Sequence, residues 1–250
     1  MMKDVLELSM TSQKNKICVV MWFDGLTAKK YGKLSYTINK AYCEKYGYDF
    51  KFSSKRRHNR KDLAWEKLPM VIEHLDNYDY VIWIDADAHF YIDRGPIEDL
   101  INEYKDKQII FSEDGTCKGF PPELDPSEWL KSNCKVRYPA LNTGVFIVKN
   151  TLKVKELLDF WTYDEWMFEQ NYPYWEQGVC QKMYELNTCN IRDISVVLPL
   201  NILQNYERFT KHNPYVRHFP HMLKAEHGIK KTFRGYLKAY ECSLENEGDA

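Results

Sequence analysis

The chain has 250 residues, and its 35 Lys and Arg balance 36 Asp and Glu, which excludes a protein that binds nucleic acid or a membrane surface through bulk charge. No apolar run approaches the roughly 20 residues of a membrane span, and residues 1–16 lack the apolar centre of a signal peptide. Aromatic residues make up 15%, which suits either half-polar binding surfaces for sugars and nucleobases or an aromatic core.

Seven cysteines occur without a CxxC pair, so neither a zinc cluster nor a full disulfide framework is predicted. Reduced thiols are expected, in keeping with a soluble, cytoplasmic protein. An oxidising compartment would allow a Cys117–Cys134 or a Cys180–Cys189 bridge.

The first half of the chain alternates strand and helix patterns. Residues 17–23 form a continuous apolar run, typical of a strand that is covered on both faces. Apolar residues then recur at helical spacing until Gly47, which ends the predicted helix, and residues 48–52 resemble a second strand. The polar, basic stretch 53–61 is interpreted as a solvated loop, with anion binding as the alternative.

A second helix, in which Pro69 is tolerated only near the first turn or at a kink, leads into a third strand, whose four apolar residues 81–84 run into the aspartates. This alternation predicts a right-handed parallel α/β sheet. Ligands collect at the carboxyl ends of the strands in such sheets, and Asp85 and Asp87 fall there.

The second half is less regular. Short strands are predicted at 109–111, 145–148, 196–198 and 216–219, and a helix at 152–168. The proline-containing stretch 112–139 is expected to be a long ordered excursion. Because no linker composition occurs, residues 1–250 are interpreted as one domain with a core of about 15–235 and mobile tails.

Asp85 and Asp87 are two residues apart, so their side chains point the same way while the chain stays extended. They can then converge on one hard cation, Mn²⁺ or Mg²⁺, that bridges to a phosphate. The alternative is an aspartate that caps the next turn beside a solvated one.

Four segments together resemble nucleotide-sugar glycosyltransferases of the GT-A fold. The family in question is family 34, which contains fungal α-galactosyltransferases and plant xyloglucan xylosyltransferases, and more distantly the glycogenin-like family 8. The resemblance rests on WEKLPMVIEHLDNYDYVIWIDADA (65–88), LNTGVFIVKN (141–150), WEQGVCQKM (175–183) and HFPHMLK (218–224). It implies a single α/β domain with a Rossmann-like, mainly parallel central sheet flanked by helices.

The resemblance also implies roles for individual residues. Asp85, Asp87 and His218 would bind the metal, although His221 stands where the family has glycine and leaves the choice of histidine open. A structural histidine is the alternative.

The residues that would bind the nucleotide-sugar donor are Asp85, Lys67, Lys224 and Asn142. Lys224 would contact the diphosphate, and the Asn142 amide would lie toward the glycan acceptor. The alternative for Lys67 and Lys224 is an ordinary solvated surface lysine. The alternative for the segment at Asn142 is a strand that simply starts at Gly144.

The catalytic candidates are Glu176, Gln177 and Asp114. Glu176 stands where the family has aspartate, and either it or Gln177 would lie beneath the anomeric carbon. Asp114 would face the acceptor, and its alternative is a turn residue beside Gly115.

The expected function is therefore metal-dependent transfer of a galactose, xylose or glucose type of sugar. The donor is expected to be UDP-linked, the acceptor a glycan hydroxyl, the ion Mn²⁺ or Mg²⁺, and the outcome retention of configuration. No nucleic-acid partner is expected, and the oligomeric state stays open. A trimmed catalytic domain of a Golgi-type enzyme is the alternative to a cytoplasmic protein.

Two other functions are weighed against this one. A haloacid-dehalogenase-like Mg²⁺ phosphohydrolase also ends a strand in DxD, but its pair lies on the first strand, whereas here a long stretch of chain precedes it and Ala88 and His89 follow. A non-catalytic nucleotide-sugar-binding module would keep the aspartates without turnover.

Overall fold

The computed structural model describes residues 14–114, 139–164, 174–206, 213–220, 229–238 and 241. The strands are β1 (Ile17–Trp22), β2 (Asp49–Ser53), β3 (Tyr80–Ile84), β4 (Ala88–Phe90), β5 (Ile109–Glu113), β6 (Leu141–Lys149), β7 (Ser195–Leu198), β8 (Gln204–Tyr206) and β9 (Val216–His218). The helices are α1 (Lys33–Tyr46), α2 (Lys67–Leu75), α3 (Glu98–Glu103), α4 (Leu152–Tyr163), α5 (Glu176–Leu186), α6 (Ile191–Ile194) and α7 (229–238). Short helical turns cover Gly25–Thr27, Ala28–Gly32, Leu63–Glu66, Ile92–Arg94 and Thr188–Asn190.

Six of the described strands form the central sheet in the order β2-β1-β3-β6-β5-β7. Strand β1 pairs in parallel with β2 and β3, and β5 pairs in parallel with β7. The predicted α/β domain with a mainly parallel sheet flanked by helices is confirmed. Strand β6 is the exception, because it runs antiparallel to both of its neighbours. Its first residues therefore lie at the sheet edge where β3 and β5 end.

Helices cover both faces of this sheet, which explains the uninterrupted apolar run of β1. Val19 shares one buried cluster with Ile38 of α1, and Val20 shares the other with Leu68 of α2 and Leu158 of α4. Each such buried side chain contributes about 1.5–3 kcal/mol to the free energy of unfolding.

Helix boundaries follow their predicted signals at several points. Gly47 ends α1 with a φ of 73°, a left-handed conformation that favours glycine. Thr151 caps α4 by accepting a hydrogen bond from the Val154 backbone N–H. This helix ends at Tyr163, whereas the predicted helix extended to Phe168, which lies outside the described residues.

A second sheet of three short strands, in the order β4-β9-β8, lies beyond the end of β3. Strand β9 is antiparallel to β4, and their register places Ala88 opposite His218. The Phe219 backbone N–H also donates to the Asp87 carbonyl at 3.0 Å. Sequence patterns predicted β9 but not β4 or β8, because three-residue strands carry too few residues to show a period.

Several expectations concern cysteines and segments beyond the described regions. Cys180 and Cys189 are free thiols, so a bridge between them is not formed. Cys117 and Cys134 lie outside the described residues, as do most of the 112–139 excursion and the two termini. Within the described part of the chain, no helix has both the length and the apolar character that crossing a membrane requires.

Candidate functional site

Asp85 and Asp87 lie where the central sheet ends and the small sheet begins. The Asp85 backbone N–H donates to the Gly144 carbonyl at 2.8 Å, which extends the pairing of β3 with β6 by one residue. A tight turn follows, closed by a hydrogen bond from the Ala88 N–H to the Asp85 carbonyl at 3.0 Å. Both carboxylates remain partly exposed at this edge of the sheet.

His218, at the end of β9, meets these two carboxylates. Its Nε2 lies 3.4 Å from Asp87 Oδ1 and 4.0 Å from Asp85 Oδ2. One ligand atom from each of the three side chains lies within 4.8 Å of the others. Burial would lower the pKa of the His218 imidazole, but Asp87 and then Asp85 outweigh it and raise this pKa above its ordinary value. The site therefore favours a positive charge at this point.

A buried chain of hydrogen bonds fixes the tautomer of the His218 ring. Gln204 Nε2 donates to Asn142 Oδ1 at 2.9 Å, so Gln204 Oε1 is free to accept from His218 Nδ1 at 3.0 Å. With its proton on Nδ1, the neutral ring directs the Nε2 lone pair at the aspartates. Asn142 Oδ1 also accepts from the Gly144 N–H at 2.9 Å. Asn142 thus belongs to this chain of hydrogen bonds, and its contact with the nucleotide-sugar donor stays a prediction.

Gly144 leaves the space that the His218 ring fills. A Cβ added at Gly144 would lie 2.2 Å from His218 Cε1, 2.8 Å from His218 Nε2 and 3.0 Å from Asp85 Oδ2. The glycine is therefore required by close approach rather than by an unusual φ. The alternative interpretation from the sequence, in which Gly144 simply starts a strand, does not account for this close approach to His218.

Lys67 is buried beneath Asp85. Its Nζ lies 2.6 Å from Glu176 Oε1 and 3.4 Å from Asp85 Oδ1, and donates to the Thr143 carbonyl at 3.0 Å. Burial would lower the pKa of the Lys67 ammonium, but the Asp85 and Glu176 carboxylates outweigh burial and raise it. An ammonium group has three donors, and these three partners account for them. Lys67 thus supports the aspartate, and its direct donor contact stays a prediction.

Trp83 also holds Asp85, through a hydrogen bond from its Nε1 to Asp85 Oδ1 at 2.6 Å. Since Lys67 contacts the same oxygen, Oδ2 is the atom of Asp85 that faces His218. Sequence reasoning missed Trp83, although its position two residues before Asp85 on an extended strand places both side chains on one face.

Glu176 and Gln177 begin helix α5 beside this network. Buried Glu176 accepts from Thr143 Oγ1 at 3.1 Å, and its Oε2 has no hydrogen-bond partner among the described residues. Burial raises the pKa of the Glu176 carboxyl, and Lys67 opposes that rise. Gln177 Nε2 donates to Asp114 Oδ2 at 3.0 Å, and Tyr206 donates its hydroxyl to Asp114 Oδ1 at 3.1 Å.

A cleft with a volume of about 320 Å³ adjoins these groups. The carboxyl ends of β1, β3 and β5 and the start of β6 form its base, as expected for ligands of α/β sheets. Predicted site residues that the structure brings to this cleft are Lys67, Asp85, Asp87, Asp114, Asn142, Glu176, Gln177 and His218. His221 and Lys224 lie outside the described residues, so their roles stay predictions.

Comparison with protein families decides the membership of the chain. The model of the galactosyl transferase GMA12/MNN10 family, glycosyltransferase family 34, matches residues 13–227. The chain belongs to this family. The resemblance predicted from the four segments is thereby confirmed.

Individual relatives agree with this family. The chain is 24% identical over 188 residues to the probable α-1,6-mannosyltransferase MNN10 of Saccharomyces cerevisiae, which covers 69% of the chain and 47% of the relative. It is 29% identical over 127 residues to the putative glycosyltransferase 7 of Arabidopsis thaliana, which covers 48% of the chain and 24% of that relative. The chain thus spans about half or less of the length of these curated relatives.

A solved structure supports the same fold. A glycosyltransferase involved in the glycosylation of the major capsid of PBCV-1 matches with a TM-score of 0.59 at 16% identity. The match covers 88% of this chain and 99% of that one.

The basic loop 53–61 contains only exposed and half-buried residues, but part of it contacts a buried carboxylate. Glu66 is fully buried, and its carboxylate accepts from the Arg57 backbone N–H at 2.8 Å. Arg56 Nε and His58 Nε2 each lie 3.6 Å from the other carboxylate oxygen. Part of the basic run therefore folds onto a buried carboxylate, which balances its charge and weakens the alternative of anion binding.

Proposed function

We propose that this chain transfers a galactose, xylose or glucose type of sugar from a UDP-linked donor to a glycan hydroxyl with retention of configuration. The observation that carries the proposal is the convergence of Asp85, Asp87 and His218 at the cleft of a family 34 member. Family membership favours this function over the phosphohydrolase. Absence of turnover in a protein that binds the donor would favour the non-catalytic module. The cytoplasmic or Golgi-type location stays a prediction.

The three side chains suit a hard divalent ion, Mn²⁺ or Mg²⁺. Two carboxylate oxygens and an imidazole nitrogen form a ligand set that Mn²⁺ accepts, with further positions left for phosphate oxygens. Gly144 supports this fit because it leaves room for the His218 ring between β6 and the aspartates. When bound, the ion would neutralise negative charge on the departing nucleoside diphosphate.

The surrounding residues hold these ligands in place before the donor arrives. Trp83 and Lys67 fix Asp85, and Gln204 fixes the tautomer of His218. Because the polar groups are already oriented, little reorganisation is needed as charge develops on the leaving group. Preorganised electrostatics of this kind carries most of the rate enhancement in the proposed reaction.

The sequence did not decide whether Glu176 or Gln177 lies beneath the anomeric carbon of the donor sugar. Their surroundings suggest a different role for each. Glu176 is buried and its Oε1 binds Lys67 and Thr143, which suits a supporting carboxylate. Gln177 is only partly buried and pairs with Asp114 on the cleft wall. We assign Gln177 to the sugar side and Asp114 to hydroxyl binding on the acceptor side.

A thermal-shift panel tests the proposal. UDP-galactose, UDP-xylose, UDP-glucose and GDP-mannose are each added with and without Mn²⁺. The matching UDP-sugar at about 100 times its Kd should stabilise the folded protein by about 2.7 kcal/mol and raise Tm by roughly 5–10 °C, only with Mn²⁺. A panel in which neither UDP-sugars nor GDP-mannose moves Tm would contradict the proposal, and a shift by GDP-mannose alone would reassign the donor.

Gly144→Ala tests the metal ligands independently of turnover. The added methyl group displaces the His218 ring, so we expect Mn²⁺ affinity to fall about 10–100-fold, the range for groups that orient metal ligands. Calorimetric Mn²⁺ titration measures it. Gly235→Ala is the matched control, because a Cβ there meets nothing within 4 Å. Equal Mn²⁺ affinity in wild type and Gly144→Ala would remove His218 from the ligand set.

A further inference from the structure

Trp175 is a large aromatic side chain at the wall of the cleft that the proposed chemistry does not use. It is 49% exposed and immediately precedes Glu176. Aromatic side chains contribute most when their faces are covered, so an exposed tryptophan at a binding cleft is a surface for a ligand.

The backbone at Trp175 is held in a conformation that L-residues rarely adopt. Trp175 has φ 54° and ψ −119°, and Tyr174 before it has φ 63°. Hydrogen bonds to its own carbonyl and to the next one hold it there: the Val179 N–H donates to the Trp175 carbonyl at 3.2 Å, and Trp161 Nε1 donates to the Glu176 carbonyl at 2.8 Å. Strain of this kind persists only where surrounding contacts impose it, and it concentrates at ligand sites.

The groups beside Trp175 indicate what the ligand is. Gln177, two residues further along, pairs with Asp114 on the same cleft, so hydroxyl-binding groups adjoin the exposed ring. The donor diphosphate is expected at the opposite pole of the cleft, where Asp85, Asp87 and His218 would hold the metal ion, so an uncharged group is expected beside Asp114. A neutral pyranose offers both an apolar C–H face for the Trp175 ring and hydroxyl groups for the Asp114 carboxylate.

We propose that Trp175 is the stacking platform for the acceptor, a neutral glycan whose pyranose face packs on the indole ring. The C–H groups of that face carry slight positive charge and meet the negative face of the ring. The strained backbone directs the ring into the cleft, while Asp114 binds hydroxyl groups of the acceptor and Gln177 stays on the side of the donor sugar. This inference rests on the proposed glycosyl transfer and names the residue that selects its acceptor.

Binding of wild type and variants to an array of neutral glycans, with UDP and MnCl₂ present, tests the platform. We expect W175A to lose glycan affinity on the order of 10-fold, more than it loses donor affinity in a thermal-shift assay, and W175F to retain most of it. Y163A is the matched control, because Tyr163 is 61% exposed on α4 and does not line the cleft.

Two outcomes overturn the platform: wild type that binds no glycan, or W175A that binds glycans as wild type does. Glycan binding that depends on Trp175 in a protein that neither hydrolyses the donor nor transfers its sugar to a bound glycan would instead support the platform and defeat the proposed transfer. The two failures are thus distinguishable.

The backbone strain has a separate readout. Because only glycine adopts the Trp175 conformation without cost, W175G should melt about 2–4 °C above W175A. The pair Y163G and Y163A should show the reverse order, since Tyr163 is helical and glycine weakens helices. A W175G variant that melts below W175A would contradict the strained presentation of the ring.

Discussion

Replacement of Asp87 by asparagine is expected to lower Mn²⁺-dependent hydrolysis of the donor and sugar transfer by about 10²–10³-fold. Asparagine keeps the shape of the side chain but removes the charge that faces His218 Nε2 at 3.4 Å. The backbone bond from the Phe219 N–H to the residue 87 carbonyl is unaffected, so the small sheet should persist. Release of UDP from UDP-sugar across a Mn²⁺ titration measures the effect.

Asp106→Asn is the matched control for Asp87→Asn. The Asp106 side chain is 75% exposed and lies outside the cleft, so its loss should leave hydrolysis at the wild-type rate. If Asp87→Asn hydrolyses the donor as fast as wild type at every Mn²⁺ concentration, the metal site is assigned to the wrong residues.

Replacement of Lys67 by methionine is expected to cost about 3–5 kcal/mol of unfolding free energy at pH 8. Methionine fills the space but leaves Glu176 buried without its cation, where the Nζ to Oε1 distance is 2.6 Å. That loss is a large share of the roughly 5–15 kcal/mol that stabilises a typical domain. Thermal and urea unfolding measure it, and the Tm should fall by roughly 6–20 °C.

The stability lost in the Lys67→Met variant should also depend on pH in a defined direction. Burial already raises the pKa of the Glu176 carboxyl, and loss of Lys67 removes the ammonium that opposes the rise. A carboxyl whose folded pKa exceeds its unfolded value favours folding at low pH and costs stability as the pH rises through the folded pKa. The deficit of the Lys67→Met variant should therefore shrink as the pH falls from 8 toward the ordinary Glu pKa of 4.5.

Two further variants control for packing. Lys67→Met combined with Glu176→Leu removes both charges and should recover most of the lost stability, because replacing a whole buried pair is close to neutral. Lys155→Met breaks an exposed pair with Asp76 and should cost no more than about 1 kcal/mol. A Lys67→Met variant as stable as wild type at pH 8 would show that Glu176 is not held as a carboxylate.

Local sequence patterns determined the parts of the fold that depend on neighbours along the chain. The apolar run of β1 predicted a strand buried on both faces, and Gly47 predicted the end of α1. The apolar strand that runs into Asp85 and Asp87 predicted an acidic site at the sheet edge, but a tight turn from Asp85 to Ala88, not the extended chain assumed from the spacing, brings the two carboxylates together. The four segments in order were sufficient to predict the family.

Only the tertiary structure decided which distant groups share the site. Antiparallel pairing brings the start of β6 to the end of β3, so that Gly144 leaves room for His218. The same packing joins Lys67 to Glu176 and exposes Trp175 at the cleft. A periodic pattern records which face of its own element a residue occupies, whereas these contacts depend on the pairing of segments far apart in the chain.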